Sequence, residues 1–98
     1  MTDYNEAIRL DTKLGGAYLD RGNLYAGRGD YTRAITDFNQ AIRFADSDEM
    51  LADAYYARGV SHAQLGNRVK ASEDYRKALQ LNPNHLRARR DVEGPSAR

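Results

Sequence analysis

The sequence of 98 residues predicts an all-α protein built as a stack of antiparallel helix pairs. Three observations predict this: a short block recurs three times, apolar residues within each copy follow the helical period, and glycine–polar pairs punctuate the copies at fixed places. Asp3-Tyr4-Asn5-Glu6-Ala7-Ile8-Arg9-Leu10 aligns with Asp37-Phe38-Asn39-Gln40-Ala41-Ile42-Arg43-Phe44 after a shift of 34 residues, and with Asp74-Tyr75-Arg76-Lys77-Ala78-Leu79-Gln80-Leu81 after a further 37. The order acid, aromatic, two polar, alanine, aliphatic, polar, apolar holds in all three. A second block, Ala17-Tyr18-Leu19-Asp20-Arg21-Gly22, returns as Ala54-Tyr55-Tyr56-Ala57-Arg58-Gly59. A third, Gly29-Asp30-Tyr31-Thr32-Arg33-Ala34, returns as Gly66-Asn67-Arg68-Val69-Lys70-Ala71.

The elements follow in chain order. Residues 2–11 read as a helix with an apolar stripe of Tyr4, Ala7, Ile8 and Leu10, matching only the second helix of a pair. In the helix predicted over 15–28, Tyr18, Gly22 and Tyr25 fall at i, i+4 and i+7. A mid-helix glycine costs about 1 kcal/mol against alanine, so Gly22 and Gly59 imply a close approach by the paired helix. Gly29 and Gly66 stand where a helix must stop, because glycine takes the left-handed conformation that ends one. Asp30 and Asn67 follow as N-caps. The helix over 31–44 carries Ala34, Phe38, Ala41 and Ile42 on one face. Three extra residues then fall within 45–51, where Asp46-x-x-Glu49 is read as a capping box that lengthens the helix over 48–65 by about a turn. A fifth helix occupies 68–81, and a short closing helix starts near Pro83 and runs over His85 to Glu93. Residues 94–98 are expected to be disordered.

At these residues the chain resembles the tetratricopeptide repeat family. The family pattern appears as Tyr18, Arg21-Gly22, Tyr25, Ala34 and Phe38, and again as Tyr55, Arg58-Gly59, His62, Ala71, Tyr75 and Pro83. The Tyr-x-x-Arg-Gly and Gly-Asp-Tyr-x-x-Ala-Ile elements are similar to a subclass frequent in bacterial repeat proteins. Arg replaces the family's Leu in both copies, His62 replaces Tyr, and the first full repeat ends in Asp46 rather than Pro. The resemblance implies a right-handed superhelix. It divides the chain into 2–12, the second helix of a preceding repeat; 15–48 and 52–85, full repeats; and 86–98, a capping helix and tail.

Composition narrows the function classes. The formal net charge is +1, with no basic stripe, which excludes a strong nucleic-acid or anionic-membrane attraction. Arg87, Arg89, Arg90 and Arg98 against Asp91 and Glu93 make the C-terminal end the basic one. Without cysteine there is neither a disulfide nor a thiolate metal site. No signal-like or membrane-length apolar run occurs, so a cytoplasmic location is expected. His62 and His85 have no second ligand at metal spacing, and His62 is read as a core or half-buried residue. Gly15-Gly16 and Gly27-Arg28-Gly29-Asp30 lack the strand–turn–helix setting of a phosphate loop. Ser47, Ser61, Ser72, Thr12, Thr32 and Thr36 are scattered without an organised histidine and acid. The expectation is therefore no catalysis, no metal and no cofactor. The recurring Asp3, Asp37 and Asp74 are read as a solvated or salt-bridged helix face. Arg21 and Arg58 are read as structural, with heads paired to Asp37 and Asp74.

The resemblance implies a function as well: binding a peptide or protein segment in the concave groove lined by the first helix of each repeat. Carried over by position, it puts Leu19, Asp20, Asn23 and Ala26 on that groove, together with Asp53, Tyr56, Ala57, Val60 and Gln64. Tyr56 follows Tyr55, the packing residue, so it points about 100° away and is expected to be partly exposed as an anchor. Family members that clamp a terminal carboxylate use groove Lys, Asn and Arg. Here Asn23 matches one clamp position, but Leu19 stands in place of a Lys and Ala57 in place of a second Asn. Asp20 and Ala57 likewise replace the asparagines of an Asn-ladder groove. A partner with apolar and basic residues fits better. The alternative function is a structural spacer within a longer solenoid. A monomer is expected over a weak homodimer.

Overall fold

The computed structural model describes residues 2–11, 13–85 and 88–90. It contains α1 (Thr2–Leu10), α2 (Gly15–Gly27), α3 (Tyr31–Arg43), α4 (Asp48–Gln64) and α5 (Arg68–Leu81). A further helical segment includes residues 88–90, and no strand occurs among the described residues. The all-α fold expected from the repeat is thus the one found. Each helix packs on the next in the chain, and α2 also meets α4, giving an elongated body of 46 × 27 × 17 Å.

The turns inside the two full pairs are alike. Gly29 and Gly66 adopt φ of 81° and 85°. Asp30 N–H then reaches back to Tyr25 O at 2.9 Å and Gly29 N–H to Ala26 O at 3.0 Å; Asn67 and Gly66 repeat this on His62 and Ala63. These paired bonds satisfy carbonyls that the helix end would otherwise orphan. Asp30 caps α3 by accepting from Arg33 N–H at 3.2 Å. Asn67 sits at the equivalent place, but its side chain makes no capping bond. The expected Asp46–Glu49 box is replaced by Ser47. That residue is extended (φ –152°, ψ 158°) and its Oγ accepts from Met50 N–H at 3.0 Å. Asp48 and Glu49 then fall in the first turn, where negative charge suits the helix dipole. At 17 residues, α4 outruns the 13 of α2 by about one turn.

Alanine dominates the core. Ala34, Ala41, Ala52, Ala54, Ala78 and Ala88 are completely buried, and Phe38 is the largest side chain that is. One cluster joins Tyr18, Ala41 and Ala54 across three helices, with Ile8, Leu19, Ile42 and Phe44 packed on it. The other joins Ala52, Ala78 and Ala88, flanked by Tyr55, Tyr56, Leu79 and Leu81. Small side chains let the backbones approach, and the glycines carry this furthest. A Cβ on Gly22 would lie 2.6 Å from Phe38 Cε1, and one on Gly59 would lie 2.8 Å from Tyr75 Cε1. Both mid-helix glycines are therefore explained by contact with the aromatic of the paired helix.

Leading into the helical residues 88–90, Arg89 N–H bonds His85 O at 3.0 Å, and Ala88 N–H bonds His85 Nδ1 at 3.2 Å; where the closing helix starts lies outside the described residues. The His85 ring nitrogen satisfies an amide that a helix start leaves open. The expected extension to Glu93 and the tail over 94–98 lie outside the described residues.

Candidate functional site

Two arginine clasps hold α2 and α4 in position. Arg21 donates from Nε and Nη2 to both oxygens of Asp37 at 2.7 Å each, and from Nη1 to Asn5 Oδ1 at 3.0 Å. Arg58 does the same to Asp74 at 3.0 and 2.8 Å and to Asn39 at 3.0 Å. Each guanidinium thus ties its helix both to the helix that follows it and to the helix that precedes it in the chain. The fork matches a carboxylate in a way that lysine cannot. The hydrogen bond to the aspartate, with its charge, raises both arginine pKa values against the opposing effect of burial. Asp37 and Asp74 are 3% and 5% exposed, so they are salt-bridged but not solvated. The expected pairing is the one formed, and neither arginine is left to meet a ligand.

The opposite face of α2 and α4 borders a concavity of about 800 Å³. Eight of the nine residues assigned to the groove line it: Leu19, Asp20, Asn23, Ala26, Asp53, Tyr56, Ala57 and Val60. Gln64, at the C-terminal end of α4, does not. Four lining residues escaped the sequence reading. Phe38 and Ser61 form the floor, while Asn84 and His85 close one end. None of the twelve is Lys or Arg.

His85 and Asp53 come together although 32 positions separate them: Nε2 lies 2.9 Å from Asp53 Oδ1. Because Nδ1 accepts from Ala88 N–H, the neutral ring carries its proton on Nε2 and donates it to the carboxylate. Only the chain reversal over 82–85 creates this pair, so no local spacing signals it. The ring also lies against Tyr56, with centroids 5.0 Å apart, and Tyr75 flanks the other contact at 5.6 Å. Tyr56 is accordingly half-buried and more firmly wedged than its position next to Tyr55 suggested. Asp53 keeps half of its side chain in solvent beside it.

His62 is half-buried, as expected, with Nδ1 lacking a hydrogen-bond partner. Burial depresses its pKa; the Asp74 charge works against that, and Arg58 and Lys70 reinforce it. Among the described residues, no cluster of three or more His, Cys, Asp or Glu could hold a metal, and no helix is long and apolar enough to cross a membrane.

Helix pairs stacked behind one concave face and tied by a recurring Arg–Asp clasp define a helical-repeat solenoid. Family models agree on which: a tetratricopeptide repeat model matches residues 52–85, and a second TPR repeat model matches 22–66. The chain belongs to the tetratricopeptide repeat family. It is 27% identical to human (Homo sapiens) sperm-associated antigen 1 over 93 residues, which is 95% of this chain and 10% of that protein. It is 31% identical to tetratricopeptide repeat protein 12 of Mus musculus, covering 82% of this chain and 11% of that one. With the photosystem I assembly protein Ycf3 of Cyanophora paradoxa, identity is 32% over 78% of this chain and 44% of that protein. The chain thus spans about a tenth of the first two relatives. Among solved structures, the first TPR of Spaghetti (RPAP3) bound to the HSP90 peptide SRMEEVD superposes with a TM-score of 0.84. Identity there is 24%, over 92% of this chain and 69% of that one, and the likeness is one of fold.

Proposed function

We propose that the chain binds a peptide or protein segment in its concave groove, and that the segment combines apolar with basic residues. The observation that carries this reading is the lining: Leu19, Ala26, Tyr56, Ala57 and Val60 supply apolar surface, Asp20 and Asp53 carry negative charge, and none of the described lining residues is Lys or Arg. Apolar contact with a central aromatic gives affinity, while exposed carboxylates at its edge select against acidic partners and speed the approach of basic ones. The structural neighbour holds the acidic peptide SRMEEVD. In this groove such a peptide would meet two aspartates and, among the described lining residues, no Lys or Arg, so the reading does not carry the neighbour's ligand over to this chain.

The test uses two fluorescent peptides on the full chain: SRMEEVD, and a peptide of alternating Leu and Lys. The Leu/Lys peptide is expected to bind more tightly, to weaken with added salt, and to lose affinity on Asp20→Lys. Both Asp20 and Asn23 are exposed, so their substitution spares the fold. Tighter binding of SRMEEVD, or indifference to Asp20→Lys and Asn23→Ala together, would overturn the reading.

A further inference from the structure

The groove holds two aspartates, and they are not equivalent. Asp20, on α2, is exposed and bonds none of the described residues. Asp53, on α4, has one oxygen fixed: its Oδ1 accepts the Nε2 proton of His85 at 2.9 Å. The donor is itself immobilised. His85 keeps only 9% of its side chain in solvent, its Nδ1 accepts from Ala88 N–H, and its ring lies against Tyr56. The chain reversal that delivers it is pinned in turn, with His85 N–H on Asn82 O at 3.0 Å and Asn84 N–H on Asn82 Oδ1 at 3.2 Å. The Asp53 side chain, 50% exposed, therefore presents a held carboxylate to the groove, and no other described residue takes its second oxygen.

The state of the two oxygens decides which cation fits. Asp37 and Asp74 each give both oxygens to an arginine fork. At Asp53 one side of that fork's seat is taken by His85, so a guanidinium keeps only one of its two parallel bonds. A lysine ammonium is a point charge with several donors and needs no second oxygen. It can bond Oδ2 and leave the His85 bond intact, with the Asn84 side chain lining the same end. Farther along α4, Tyr56, Ala57 and Val60 offer an apolar run on which the lysine stem can lie. The ammonium of a chain's N-terminus has no such stem.

We propose that Asp53, held by His85, is a specificity-determining residue of the groove and receives a lysine side chain of the bound segment in preference to arginine. The inference rests on the groove reading and adds to it the residue, the atom and the cation. His85 acts through Asp53 and is a positioning residue. Asp20 attracts either cation without choosing between them.

The experiment compares two fluorescent, N-acetylated peptides on the full chain, one of alternating Leu and Lys and one of alternating Leu and Arg. The readout is the ratio of their dissociation constants on one variant. A change in folded fraction leaves that ratio untouched, because it scales both constants alike. Wild type is expected to favour the lysine peptide by about threefold or more, the worth of one hydrogen bond. Asp53→Asn should bring the ratio close to one. His85→Phe keeps a ring against Tyr56 but frees Oδ1, so the preference should turn towards arginine. A purely structural role for His85 would weaken both peptides and leave the ratio where it was. Asp20→Asn should weaken both peptides with the ratio unchanged. A wild-type ratio that favours neither peptide or favours arginine overturns the proposal, as does a lysine preference that survives Asp53→Asn or His85→Phe. The groove reading outlives either result if both peptides lose affinity on Asp20→Asn. Binding of neither peptide overturns the groove reading, and this inference with it.

Discussion

Asp74 is a carboxylate almost removed from water, and only the Arg58 fork makes that tolerable. Breaking a buried pair by deleting one partner typically costs about 3–5 kcal/mol, because a charge is left uncompensated. Arg58 keeps a quarter of its side chain in solvent, which screens the pair. Arg58→Leu is therefore expected to lower stability by about 2–4 kcal/mol in urea denaturation. Adding Asp74→Leu should recover most of the loss, since an apolar pair leaves no stranded charge. A double variant no more stable than Arg58→Leu alone would show that the Asn39 bond or packing of the arginine stem dominates. His62 gives a pH signature of the opposite kind. Its folded pKa lies below the ordinary 6.5, so the unfolded chain binds the extra proton more readily. The neutral ring's contribution is whole above that value and is lost as pH falls through the folded pKa. Wild type should lose stability on acidification from pH 7 towards 5 more steeply than His62→Gln. Parallel slopes in thermal melts would exclude His62 as the source.

At the scale of the element, a helix in this protein is defined as much by where it admits its neighbour as by its own propensity. Replacing a mid-helix glycine by alanine gains about 1 kcal/mol of propensity. At Gly22 the new Cβ would meet a fully buried Phe38 ring that has nowhere to go, whereas at Gly27 it meets nothing within 4 Å. Gly27→Ala is thus expected to raise stability by about 0.4–1 kcal/mol, and Gly22→Ala to lower it by about 1–3 kcal/mol. Denaturant midpoints check both; a stabilising Gly22→Ala would mean that α2 and α3 can part cheaply. These elements were legible in the sequence because repetition exposes positions that a single copy hides. Tyr18 and Tyr55, Gly22 and Gly59, and Asp37 and Asp74 each appear twice at matching offsets, and the Arg–Asp pairing follows from that register. The start of α4 at Asp48 was read correctly but its cap was not, because Asp46 and Ser47 are both competent caps and only the extended backbone at Ser47 decides between them. The groove was legible as far as helix phase reaches. Phe38 on its floor and the His85–Asp53 pair at its end depend on how separate helices meet, which no local spacing encodes.

For the whole molecule, stability is distributed along a stack, and the ends are not equivalent. Helix α3 lies between α2 and α4, and α4 between α3 and α5, with α2 touching α4 besides. Helix α1 leans on α2. Its apolar stripe is only partly covered: Ile8 packs on the Tyr18 cluster, while Leu10 is 75% exposed. Full burial of one such side chain is worth roughly 1.5–3 kcal/mol, so a half-covered Ile8 and Tyr4 hold nine residues in place with little to spare. Local opening free energies follow the number of faces a helix buries. Amide exchange should therefore be slowest in α3 and α4 and much faster in α1. Ile8→Ser should erase what protection α1 has without altering α3 or α4. Fragment-resolved exchange measured by mass spectrometry reads all three helices in one experiment. Protection in α1 equal to that in α3, or a loss in α3 and α4 that tracks Ile8→Ser, would mean that the stack opens as one cooperative unit and that its N-terminal edge is no weaker than its centre.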